Sequence, residues 1–163
     1  MSIINDLIQK MISYETGEPK RIQHFLKVHS FSKMIGKLEN IDEITQYTLE
    51  IASIVHDIGI KPSIEKYGSS AGKFQEKEGP AFAEEMLDGL GLDRSIIDRV
   101  CYLVGHHHTY TDVDGLDYQI LIEADFLVNL FEDEVDKKSI ESIYKNIFKT
   151  RGGKQICKTM FSF

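Results

Sequence analysis

Several things are scarce in this chain, and each scarcity excludes something. There are only two cysteines, Cys101 and Cys157, too few and too isolated for a disulfide framework. Three prolines and twelve glycines leave no room for a long flexible linker. No apolar run is long enough to span a membrane. Asp6 and Lys10 interrupt the N-terminal apolar residues, so that stretch does not read as a signal peptide, and the expected address is cytoplasmic. Excess positive charge is also missing. A net charge of −7 argues against a protein that coats nucleic acid. There is no internal repeat, no low-complexity segment and no useful run of period-two alternation, so strands are not expected.

What is present reads as helices. The 163 residues suit one domain with a single core. Ile3, Ile4, Leu7, Met11 and Ile12 recur at helical spacing over residues 2–15. Gly17 stops that segment, and Pro19 fits the first turn of a second helix over roughly 19–39. Asp42 caps a third, about 42–56, whose end is apolar nearly all round and is therefore expected to be central. Gly59, Pro62, Gly68, Ser69, Ser70 and Gly72 punctuate residues 58–77, which are expected to be a long functional loop. Pro80 is expected to open a helix ending near Gly89, and Asp93 another running to His106–His108. A helix over about 118–131 follows. The segment 137–163, with seven basic residues against Glu141, finishes the chain as a basic helical tail, docked on the acidic body or solvated. The expectation is an all-α bundle of about seven helices.

The chemistry concentrates in His24, the adjacent pair His56-Asp57, and Asp125. His24 shares a helical face with Val28 and Phe31. Asp125 sits in the apolar string LIEADFLVNLF, where an unpaired carboxylate is costly. A hydrogen bond, for instance from Asn129 one turn on, would explain one such residue. Three helices each turning a ligand type inward are better explained by a divalent metal. His₂Asp₂ is a mixed nitrogen and oxygen donor set, and it leaves positions open for water and substrate in a metal that takes more than four ligands.

The order His24, His56-Asp57, Asp125 resembles the H…HD…D signature of the HD-domain metal-dependent phosphohydrolases. RIQHFLKV resembles the family's R-x-x-H-x-x-x-V opening, and VHDIG its hydrophobic-HDIG string. The resemblance covers roughly residues 20–130. It implies an all-α core around a metal site, one or two divalent ions (Fe, Mn, Co, Ni, Zn or Mg), and hydrolysis of a small phosphorylated substrate, a nucleotide first among them. It also implies Asp57 as a ligand that helps orient or deprotonate water. Relatives that cleave dinucleoside polyphosphates carry an H-G-P string and a further His eighteen residues before the final Asp. Here those places hold Glu78-Gly79-Pro80 and His107.

Glu78, His107 and then His106 are thus the candidates for a second metal or for phosphate. His108 is expected to be exposed, and His29, about 140° around its helix from His24, to lie outside the site. Lys61 stands one place after the Lys that many relatives carry behind HDIG, and is expected to act on the phosphoryl group. Arg21, one turn before His24, and Lys73, in a glycine-rich stretch that fails the P-loop spacing, are the candidate substrate contacts. A homodimer is compatible with all of this. Two other readings remain open: a di-iron oxygen-activating enzyme using Glu78 and His107, and a regulatory nucleotide-binding module with a structural metal.

Overall fold

A computed structural model describes residues 2–163. Nine helices and no strand occur among them: α1 Ile3–Tyr14, α2 Pro19–Leu38, α3 Glu43–Val55, α4 Ile60–Tyr67, α5 Gly72–Leu87, α6 Arg94–Val104, α7 Leu116–Glu132, α8 Lys137–Ile147 and α9 Arg151–Phe161. No helix among the described residues is long and apolar enough to cross a membrane.

Helix α3 is the hub. Leu49, Ile51, Ala52, Ile54 and Val55 are all fully buried, as expected for a helix apolar on every side. It contacts α1, α2, α6 and α7. Asp42 starts it by accepting from the amides of Ile44 and Thr45, a cap worth about 1 kcal/mol. Helices α2 and α7 pack on each other as well as on α3. Their buried faces carry Phe25, Val28 and Ile35 on α2, and Tyr118, Leu121 and Val128 on α7.

The expected long loop over 58–77 is replaced by α4 and the start of α5. Pro62 falls in the first turn of α4, where an amide has no intrahelical acceptor and none is lost. Gly68 ends that helix in the left-handed region at φ 65°. Only residues 68–71 separate the two helices. Nor does Pro80 open a helix; it lies inside α5. It cannot donate to the carbonyl of Glu76, a defect worth about 3 kcal/mol in an isolated helix. Tertiary contact offsets it: Gly79 packs so tightly on Val104 that a Cβ there would lie 2.7 Å from Val104 Cγ1.

The basic tail forms α8 and α9, and acids of the body hold the start of α9. The carboxylate of Glu123, fully buried on α7, accepts from the amides of Lys149 and Thr150 and from the Thr150 hydroxyl. Glu39 accepts from the Gly152 amide. Two acids from the body therefore bind the unpaired amides at the N-terminus of α9.

Candidate metal centre

His24 comes from the second turn of α2, His56 and Asp57 from the turn that ends α3, and Asp125 from the middle of α7. The fold brings them together. His24 Nε2 lies 3.1 Å from Asp125 Oδ1, 3.3 Å from Asp57 Oδ2 and 3.3 Å from His56 Nε2. His56 Nε2 lies 3.4 Å from Asp57 Oδ2 and 3.6 Å from Asp125 Oδ1. His107, in the turn after α6, reaches the same carboxylate from its other side, with Nε2 3.4 Å from Asp57 Oδ1.

The opposite edge of each of these rings is fixed. His24 Nδ1 is 3.1 Å from the Glu132 carboxylate, His56 Nδ1 is 2.8 Å from the Ser53 carbonyl, and His107 Nδ1 is 2.8 Å from the Val104 carbonyl. Each acceptor holds a proton on Nδ1, so that on binding a metal Nε2 would be the nitrogen that gives up its proton and coordinates. Lys27 anchors Glu132 in turn, at 2.7 Å. Asn129 donates to Asp125 Oδ1 at 2.9 Å.

Two sets of ligand atoms lie close enough to hold an ion. One is His24, His56 and Asp57; the other is Asp57, His107 and His108; within each, all atoms are within 4.8 Å of one another. Asp57 belongs to both, one oxygen toward each. The Nε2 atoms of His107 and His108 are buried without a hydrogen-bond partner. The His107–Asp57 approach is close but not aligned for a hydrogen bond. Buried imidazole nitrogens left unsatisfied beside carboxylates fit a cation there.

The electrostatics agree. Burial alone would lower His24 and His56. Hydrogen bonding to Asp125 and the Asp57 charge instead raise His24, and the charge of Asp57 together with the nearby Asp125 carboxylate raises His56 well above the usual imidazole range. Both carboxylates are held far below theirs despite burial, Asp57 chiefly by the charge of His56 and Asp125 by its hydrogen bond with His24 and the nearby His56. Without a metal, protons on the rings balance the acids. Burial and the neighbouring His107 push His108 down to about 4, so it is neutral and able to coordinate at neutral pH.

The other expected residues are placed differently. Glu78 accepts from the Tyr67 hydroxyl at 2.6 Å and from Lys66 at 3.0 Å and belongs to neither set. His106 turns its Nδ1 to the Tyr102 carbonyl and stacks on the Tyr102 ring, leaving the inward place to His108, which is not exposed. Residues 105–108 are a turn rather than helix, so adjacent His107 and His108 both face inward, with ring centroids 4.1 Å apart. Glu76 fixes that turn by accepting from the His108 amide and the Thr109 hydroxyl. Lys73 is exposed over the Phe74 ring. His29 pairs with Glu50, outside both sets.

Arg21 and Lys61 do meet, on the wall of a cavity of about 230 Å³ whose lining also includes Tyr14, Glu15, Glu18 and Glu65. Arg21 pairs with the buried Glu15 at 3.1 Å. Lys61 reaches the Tyr14 carbonyl at 3.4 Å and lies over its ring. Burial pushes the Glu15 carboxyl up, and the neighbouring Arg21 opposes that.

A family profile described as the HD domain matches residues 21–143, three quarters of the sequence. The chain belongs to the HD-domain family. Among curated proteins none matches. Among solved structures, this HD domain is similar to a protein from an uncultured Thermotogales bacterium described as a predicted HD superfamily hydrolase. The two are 22% identical with a TM-score of 0.69, over 98% of this chain and 85% of the other. At that identity the likeness concerns the fold.

Proposed function

We propose that this HD domain is a metal-dependent phosphohydrolase acting on a small phosphate ester, with a nucleotide as the leading substrate class. The observation that carries the reading is the inward convergence of four imidazoles on two carboxylates, with two ring nitrogens left unsatisfied. His24, His56, Asp57 and Asp125 would hold a first ion. Asp57, His107 and His108 would hold a second. Such nitrogen-rich sets favour a first-row transition ion over magnesium, which prefers oxygen donors.

A divalent ion bound here would supply Lewis acidity, lowering the pKa of a water and polarising a phosphoryl oxygen. The chain's own residues do the rest. The Asp57 side chain keeps 20% of its surface exposed, so the centre is open on that side, which a structural metal does not need. Asp57 can accept a hydrogen bond from an incoming water and orient it. Arg21 and Lys61, which line one cavity, would meet phosphoryl oxygens, where fixed positive charge stabilises the transition state. Glu132, Ser53 and Val104 hold the rings in the coordinating tautomer. Of the Glu78 and His107 pair on which the oxygen-activating reading leaned, Glu78 is engaged by Tyr67 and Lys66 instead, and His107 belongs to the second set.

The test is metal-stripped protein reloaded with one ion at a time and assayed against a panel of phosphate esters. Hydrolysis with Mn, Co or Ni is expected, and Asp57→Ala should lose both metal binding and turnover. Full activity of that variant would sink the proposal.

A further inference from the structure

The cavity lined by Arg21 and Lys61 is strongly polar, with Glu15, Glu18 and Glu65 on its wall; a surface of a different kind, an aromatic one, lies elsewhere on the molecule. Tyr110 stands two residues after His108, and Phe126 follows directly on Asp125. Their rings meet at 5.2 Å between centroids, inclined at 60°. Tyr110 is 43% exposed and Phe126 is half-buried, so the pair presents ring surface to solvent. It also sits close to the centre. The ring contact joins the segment that follows His108 to helix α7, which carries Asp125.

That placement is held from behind. The Tyr118 hydroxyl lies between the carbonyls of His106 and Thr109 and shares its one proton with them, and Thr109 is tied to Glu76. The backbone on the N-terminal side of Tyr110 is therefore clamped, although its ring keeps an open side. An exposed aromatic on a braced turn loses little freedom when a planar group lies on it.

We infer that Tyr110, backed by Phe126, is a stacking platform for the base of a nucleotide substrate whose phosphate lies at the metal centre. The inference rests on the phosphohydrolase reading and narrows its substrate class from phosphate esters to nucleoside phosphates. Base-on-aromatic stacking tolerates any base, because every base has a π-face. The platform thus selects for the presence of a base rather than for its identity. Removing one such ring costs roughly tenfold or more in affinity.

The experiment compares a nucleoside 5′-monophosphate with ribose 5-phosphate, which shares its sugar and phosphate but has no base. Both are assayed on metal-loaded wild type, Tyr110→Ala and Tyr110→Phe, alongside calorimetric binding of the nucleotide. Tyr110→Ala is expected to lose about tenfold or more in kcat/KM on the nucleotide, mainly through KM, and little on ribose 5-phosphate. Tyr110→Phe should keep both activities. Equal losses on the two substrates, or none on either, overturn the platform while leaving the phosphohydrolase reading in place. Nucleotide binding that weakens in Tyr110→Ala, in a wild type that hydrolyses no ester, supports the platform and overturns the hydrolase. A wild type that neither binds nor hydrolyses nucleotides overturns both.

Discussion

Glu132 shows at the residue scale how an electrostatic detail controls chemistry. It lies two turns beyond Asp125 on the same helix and touches no candidate ion position, yet it holds His24 from behind. Removing such a partner usually weakens metal binding by 10- to 100-fold. Glu132→Gln is expected to lose affinity for the first ion by about that factor, read by titration against a competing chelator, with the fold unchanged by circular dichroism. A second residue-scale outcome concerns His29. Burial holds its imidazole below the ordinary value of 6.5 in spite of Glu50. The unfolded chain then binds more protons than the folded one between the two values. Stability should therefore rise with pH through that window and be lost as pH falls through about 6.5. In His29→Gln the slope of urea midpoint against pH should be shallower than in wild type.

The four residues of the H…HD…D order were legible because each breaks an apolar helical pattern, and an inward polar group needs a reason. Glu132 and Glu76 were not. Both stand where a solvated acid is ordinary, and only tertiary structure shows what they hold. The choice between His106 and His108 was illegible for another reason. Both follow the last turn of α6, where helical periodicity no longer dictates direction.

Among elements, α2, α3 and α7 were readable from periodicity and caps, whereas α4 was hidden by Pro62 and the glycines around it. Composition argued for a loop, but the positions of those residues allow a helix: Pro62 in a first turn and Gly68 at an end. Helix α9 offers a prediction at this scale. Glu123 accepts three hydrogen bonds from residues 149 and 150, on the approach to α9, and Gln119 adds a fourth. Hydrogen bonds to a buried charged group carry roughly 1.5–3 kcal/mol. Glu123→Ala should lower unfolding free energy by about 2–3 kcal/mol, and amide exchange should quicken in α9 before it does in α3.

For the molecule as a whole, the metal centre joins α2, the α3–α4 turn, the turn after α6, and α7. Ligand from every one of these reaches the same small volume, so occupancy should stabilise the entire bundle. An ion at a hundred times its dissociation constant adds about 2.7 kcal/mol. For a chain of this length that corresponds to a rise in Tm of roughly 5–10 °C. Chelator should remove the increment, and Asp57→Ala should never show it. Differential scanning fluorimetry at fixed protein concentration would read both.

The glycine of the HDIG string has an ordinary φ of −73°, so backbone freedom is not why it is there. A Cβ on Gly59 would lie 2.6 Å from the Gln75 carbonyl and 3.0 Å from Gly79 Cα. At the start of that same helix, α5, a Cβ on Gly72 would lie 2.8 Å from the His108 ring. Helix α5 is thus a straightedge laid between the HD turn and the ring of His108. Any change that lifts one end also moves the other, so the spacing between the two candidate ion positions cannot be tuned by editing either one alone.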